Sequence, residues 1–292
     1  MSSYWFPLNA VYKWWYGSEL YSKPWRSVNW ESKSEIVADI RNITPSNPNI
    51  NHLRILLHGP VGMGKTSFIN SLNSVFQNRI ITKEKAAPSS STSCTKKYKG
   101  CEIKHPGSET LKLTMFDFKG LELGARNVHD DDLRSALHGH LPDGYKFDDA
   151  NPLTSDDPNY IQNPTTGQKT HCVVCVVSAN SISRMPNETI GKMKRFLEEA
   201  SDHGIPRAVV MTMGDLLCPA VRNNMKYIYI SKIIKNKMED CSNKLQIPMN
   251  CIFPVNNYHE ETETNDDMDM LLLLALKQIA HFANDHVADL QE

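Results

Sequence analysis

The chain's pattern predicts a three-layer α/β domain: a mostly parallel sheet with one antiparallel strand, covered by helices on both faces. Three observations point there. Short apolar runs alternate with segments of helical period from residue 52 onward, and two alternating segments are joined by only "PGSE". A glycine-rich stretch, "HGPVGMGKTS", stands between an apolar run and a helical pattern.

Taken in order, residues 1–30 hold all five tryptophans (Trp5, Trp14, Trp15, Trp25, Trp30) in an otherwise irregular segment. Packing on the domain is the favoured reading over a docking or membrane-surface segment, because exposed Trp clusters are costly. Residues 31–43 place Ile36, Ile40 and Ile43 on one helical face, and "TPSNPN" stops the helix. "HLRILLHG" reads as a buried strand and "KTSFINSLNSVF" as a helix turning Phe68, Leu72 and Val75 or Phe76 inward. "TKEKAAPSSSTSCT" has no hydrophobic period and is a loop, after which "KKYKGCEIKH" and "TLKLTMFDF" form a hairpin. Residues 127–140 look helical. Residues 141–170, with Pro142, Pro152, Pro158 and Pro164, form an irregular insertion of a length that is often functional or mobile.

Then come a strand over 171–178, a helix over 187–203, a strand over 207–212, a long helix over about 222–246, a strand over 250–255 and a last helix from Asp266 to His286. The expected organisation is an aromatic segment over 1–30 followed by one domain over 31–292. A chain of 292 residues can bury roughly 75% of its unfolded surface, enough for one large domain.

Bulk properties exclude several classes. A net charge of −1 argues against non-specific nucleic-acid binding, which needs excess Lys and Arg. The longest apolar run, Met270–Leu276, is far short of the roughly 18 residues of a membrane span. "MSSYWFPLNAVYKWWYG" lacks the basic start and apolar stretch of a signal peptide. Seven irregularly spaced cysteines suit free thiols in a reducing compartment. Cys172 and Cys175 lie within an apparent buried strand with no second Cys/His pair at zinc spacing, so they are not expected to hold metal.

Gly59, Gly64, Lys65 and Thr66 fit G-x-x-x-x-G-K-[ST] between a predicted strand and a predicted helix, the context that gives this motif meaning. Glycines let main-chain N–H groups converge on phosphate oxygens, and the helix N-terminus adds to the attraction. The expected phosphate contacts are Gly59, Val61, Gly62, Met63, Gly64, Lys65, Thr66 and Ser67, with Lys65 on the outer phosphates and Thr66 on Mg²⁺.

"FDFKG" discriminates among nucleotide classes. Asp117 and Gly120 form D-x-x-G at a strand end after an antiparallel hairpin, the order of a P-loop GTPase-like domain. Asp117 would hold Mg²⁺, and the Gly120 N–H would sense a γ-phosphate. No arginine-bearing lid of a small-molecule kinase is evident. Thr92 and Thr95 are both available for the mobile threonine that closes on Mg²⁺; Thr95, just before the strand, is the better placed. "VVMTMGD" puts Thr212 and Asp215 at a guanine-reading motif with Met213 where Lys is usual, which weakens guanine preference and leaves adenine nucleotides open. Asn256 and Asn257 stand where a second base-contacting loop belongs, although ordinary turn residues would look the same.

With these motifs, "HCVVCVVSAN" and "NCIFPVNNYHEE" in view, the chain resembles the interferon-induced protein 44 family from about "KPWRSVNW" to the last helix, including "LLLLALKQIAHFANDH". The resemblance implies a cytoplasmic GTP-binding-type protein of the interferon response with antiviral associations, using GTP/GDP and Mg²⁺. It also implies tolerance of a degenerate base motif. Val61 and Leu121 occupy positions where efficient GTPases keep Gly and a water-orienting Gln, so hydrolysis should be slow unless a partner or a nucleotide-dependent homodimer assists. The competing expectation is a non-hydrolysing scaffold for host or viral proteins.

Overall fold

The computed structural model describes residues 19–82, 97–107, 109–118, 120–121, 129–148 and 150–290. Six strands, β1 (Leu53–His58), β2 (Lys99–Lys104), β3 (Thr110–Asp117), β4 (Cys172–Ser178), β5 (Arg207–Thr212) and β6 (Ile252–Pro254), form one sheet. Its order is β2-β3-β1-β4-β5-β6, with β2 antiparallel to β3 and every other pairing parallel. The predicted mostly parallel sheet with one antiparallel strand is therefore the observed one.

Burial explains the strand patterns. Every residue of β4, "CVVCVVS", is buried, as a central parallel strand covered on both faces must be. Cys172 and Cys175 are part of that core. β2 sits at the sheet's edge with its three charged residues exposed, and Lys99, Glu102 and Lys104 discourage pairing with another chain.

Helices α1 (Lys33–Asn42), α2 (Lys65–Gln77) and α6 (Asp266–Asp289) pack together as one layer; α3 (Asp130–His138), α4 (Asn187–Asp202) and α5 (Lys232–Leu245) pack together as the other. Phe68, Leu72, Val75 and Phe76 of α2 are all buried. The N-cap Asn265 of α6 accepts from Asp267 N and Met268 N at 3.0 and 3.1 Å, and three aspartates in the first turn oppose the helix's positive end. No helix among the described residues is long and apolar enough to cross a membrane.

One element needs correction. The long helix expected over 222–246 is broken into a short α-helical turn at Pro219–Asn223, a 3₁₀ turn at Met225–Tyr229 and α5. Two local caps win over the helical period. Asn224 is extended and its Oδ1 accepts from Lys226 N at 3.0 Å, while Ser231 Oγ accepts from Ile234 N at 3.3 Å and starts α5.

The stretch 19–30 runs along this irregular segment. Tyr21 N donates to Ile230 O (2.7 Å) and Trp25 N to Tyr229 O (3.0 Å). The Trp25 ring meets Tyr229 edge-on at 5.2 Å, and Arg26 donates to Ile252 O and Met249 O. Trp5, Trp14 and Trp15 lie outside the described residues.

Buried histidines tie the sheet to its surroundings and carry a pH dependence. His171 Nδ1 accepts from Arg54 N at 2.8 Å, so the neutral ring bears its proton on Nε2, which faces Thr166 O at 3.0 Å. Burial holds His171 down at about 4. His58, wholly buried against Phe196 with ring centroids 4.8 Å apart, is held at about 3 by burial and then by the Lys65 charge. Both lie below the unfolded value of 6.5. The unfolded chain therefore takes up the extra protons, and stability falls as pH drops through 6.5 toward those folded values. Between pH 7.5 and 5.5 each ring should remove about 1.4 kcal/mol, roughly 3 kcal/mol together. Urea titrations at the two pH values measure this; equal midpoints would contradict the neutral burial of both rings.

Candidate nucleotide-binding site

The glycine-rich loop turns sharply between β1 and α2. Gly59, Gly62 and Gly64 take φ of 138°, 78° and 91°, values that side-chain-bearing residues rarely adopt. At Gly59 a Cβ would stand 2.3 Å from Val176 O, so the loop lies directly against the β4 backbone. Gly64 caps α2 without a side chain. The first N–H groups of α2 thus keep their positive end for an anion.

The ammonium of Lys65 is buried and donates to Gly59 O (2.9 Å) and Pro60 O (3.0 Å), folding back over its own loop. Burial lowers its pKa from the ordinary range, against the upward pull of Asp117 and Cys175. Among the described residues no carboxylate forms an ion pair with it. Among the described residues its hydrogen-bond partners are two neutral carbonyls, which leaves the ammonium poised to donate to phosphate oxygens.

Thr66 Oγ1 donates to Asp117 Oδ2 at 2.5 Å. Asp117 is buried at the end of β3, in register with Leu57 of β1. A hydroxyl and a carboxylate, hard oxygen donors from opposite sides of the site, suit Mg²⁺. Thr95 and Thr92 lie outside the described residues.

The segment after Asp117 is zipped to the loop. Val61 N donates to Leu121 O (3.1 Å), Leu121 N to Gly59 O (3.2 Å), and Pro60 bridges Leu121 in parallel. A Cβ at Gly120 would lie 2.7 Å from Val61 Cγ2 and 3.0 Å from Lys65 Nζ. Gly120 therefore stands against the lysine. Leu121 is buried and offers no polar group to orient water.

Beneath the loop two polar side chains hold its backbone. Thr212 is completely buried, its hydroxyl 2.8 Å from Met63 O and 3.3 Å from Val177 O. Asn257 Nδ2 donates to Gly64 O at 3.0 Å. Both are base-contact candidates from the sequence, and here these polar groups grip the phosphate loop, because the ends of β5 and β6 bring their short side chains against it. Met63 is fixed further through its sulfur, 3.3 Å from Ser178 N and Ser181 Oγ. Gly62 is exposed and Ser67 half-buried in the first turn of α2.

Met213 takes a left-handed φ of 60° and leads into the turn Gly214–Leu217. That turn carries Asp215, half-buried, whose carboxylate has no partner among the described residues. Asn256 is buried beside Asn257. Tyr258, not singled out from sequence, fastens this loop. Its N donates to Ser71 Oγ (2.9 Å), and its hydroxyl donates to the buried Asp269 Oδ1 (2.6 Å), whose other oxygen is 2.6 Å from Lys33 Nζ. The available signal was Asp269 inside the apolar run "DMDMLLLL", since a buried carboxylate needs partners.

A strand, a glycine loop, a lysine and hydroxyl opening a helix, and an aspartate from the adjacent strand define a P-loop nucleotide-binding domain. The family model of the KAP family P-loop domain matches residues 35–247, and the chain belongs to that family. The chain is also similar to interferon-induced protein 44 of Mus musculus, 34% identical over 258 residues that cover 88% of this chain and 61% of that protein. It is 31% identical over 263 residues to interferon-induced protein 44-like of Homo sapiens, covering 89% and 58%. The resemblance drawn from the motifs therefore holds, and the chain spans about three fifths of the length of these relatives. Among solved structures, a probable GTP-binding protein engB is 13% identical, covers 70% of this chain and 88% of that one, and has a TM-score of 0.36.

Proposed function

We propose that this protein binds GTP and GDP with Mg²⁺ and hydrolyses GTP slowly or only with a partner's help, within the interferon-induced antiviral response. The observation that carries the reading is the single cradle formed by Lys65 over Gly59 and Pro60, with Thr66 held to Asp117. Thr66 and Asp117 would hold the ion, which when bound neutralises charge on the outer phosphates. Lys65 would leave its carbonyls for phosphate oxygens, and Gly120 would sense the γ-phosphate. Asp215 would accept the ring N–H and amino hydrogens of guanine, with the Met213 stem beneath the base. A cytoplasmic location and host or viral protein partners belong to the same proposal.

Guanine recognition rests on Asp215, so Asp215→Asn should reduce the preference for GTP over ATP by about tenfold, the cost of one charge-assisted hydrogen bond. Competition between labelled GTP and unlabelled ATP measures it, alongside mass identification of any co-purifying nucleotide. Equal GTP and ATP affinities in the parent protein would remove guanine from the proposal.

A second reading, a nucleotide-stabilised scaffold without turnover, is favoured by the buried Leu121 and by Val61 crowding Gly120. Phosphate release measured across protein concentrations separates the two. Turnover that rises with concentration supports homodimer-assisted hydrolysis. Bound nucleotide with no release supports the scaffold.

A further inference from the structure

The insertion after α3 has no part in the cradle, yet it touches both segments expected to respond to a γ-phosphate. We infer that Tyr145 and Phe147 are positioning residues of the nucleotide site, coupling the start of β2 to the segment that follows Asp117. The inference rests on the nucleotide reading proposed above.

The contacts run in two directions. On one side, the insertion pairs with the chain entering β2. Tyr98 N donates to Tyr145 O (2.8 Å), Gly144 N donates to Tyr98 O (2.7 Å), and Lys97 bridges Lys146 in antiparallel fashion. Asp143 Oδ1 accepts from Gly100 N at 2.9 Å. On the other side, the Phe147 ring lies 4.7 Å from Phe118, the residue directly after Asp117, and 5.6 Å from Tyr145. Tyr98 closes the circuit, stacked on Phe116 at 4.9 Å and edge-on to Phe118 at 6.1 Å.

Rigidity at both ends makes this more than surface cover. Phe118 is completely buried, and its N donates to Leu57 O of β1 at 3.2 Å, just ahead of the phosphate loop. The insertion is bolted to α3: the buried Asp132 Oδ1 accepts from Leu153 N (2.8 Å), and Ile161 N donates to His140 O (3.0 Å). A displacement at Phe118 therefore has to move Phe147, the paired backbone at 145–146, and then Tyr98. Close-packed aromatic rings do not deform continuously, so the two segments should shift as one unit. Capping an exposed sheet edge would explain the pairing with β2. It would not require Phe147 to lie against Phe118.

The test compares affinities for GTPγS and GDP in the full chain and in Phe147→Ala, Phe147→Leu and Phe147→Tyr. Coupling predicts that Phe147→Ala lowers the GTPγS-over-GDP preference by about tenfold, within the usual range of site-to-site coupling, while GDP affinity stays within about twofold. Phe147→Tyr should restore the ratio, and Phe147→Leu, which keeps most of the volume, provides the same reading if the alanine variant does not fold. An unchanged ratio in the leucine or alanine variant, or an equal loss of both affinities, overturns the coupling and leaves the nucleotide reading standing. A parent protein that binds neither nucleotide overturns the site itself, and the coupling with it.

Discussion

Replacing Lys65 with Ala is expected to abolish measurable nucleotide binding while the protein stays folded. The ammonium sits 2.9 and 3.0 Å from the carbonyls of Gly59 and Pro60, at the mouth of the loop and 3.0 Å from where a Cβ on Gly120 would be. Losing a charge-assisted contact to phosphate costs about 2–5 kcal/mol, or roughly 30- to several-thousand-fold in affinity. The effect on folding should be small because two terms oppose each other. The variant gives up two hydrogen bonds worth about 1 kcal/mol each, but it also relieves a buried cation with no ion-pair partner among the described residues. Titration with a fluorescent guanine nucleotide, together with thermal melting, reads both quantities. Affinity within threefold of the parent would remove Lys65 from the site.

Gly59→Ala is expected to show the opposite balance, with fold and binding falling together. Its φ of 138° is strained for alanine, and the new methyl would lie 2.3 Å from Val176 O, a backbone atom in the middle of the sheet. Strain and overpacking together should cost about 3–5 kcal/mol, which lowers the melting temperature by about 10 °C. Displacement would also disturb Leu121 N, which donates to Gly59 O, so the segment carrying Gly120 moves with it. Gly62→Ala is the control: its φ of 78° is also positive, but a Cβ there meets nothing within 4 Å. That variant should lose only about 1 kcal/mol. Similar melting curves for the two variants would mean that the loop does not lie against β4 as described.

The fold was legible wherever burial alone chose the residues. β1, β4 and β5 stand within one or two residues of their expected bounds because strands covered on both faces must be continuously apolar. The 222–246 stretch was misread because its apolar spacing suits a helix, while Asn224 and Ser231 end and restart the chain through bonds visible only once the backbone is placed. The glycines, Lys65, Thr66 and Asp117 stand out in the sequence because each is the residue type that phosphate and metal chemistry requires, and the fold brings them together. Thr212 and Asn257 stand in the sequence as base-contact candidates, and only the structure shows that they also hold the phosphate loop. A strand end does not reveal in sequence whether its side chain faces a base or the loop beside it.

From its sequence alone this protein is determined to be a P-loop domain with a mostly parallel sheet, since hydrophobic period and one spaced motif are local properties that survive without coordinates. Tertiary structure decided everything that depends on which segments lie side by side. It fixed the hydroxyl of Thr212 on Met63 O, the network of Tyr258, Asp269 and Lys33, and the seating of Phe147 on Phe118. Those partners are separated by 149, 11, 236 and 29 positions along the chain. Only close packing of the folded sheet and its helices brings them within bonding distance.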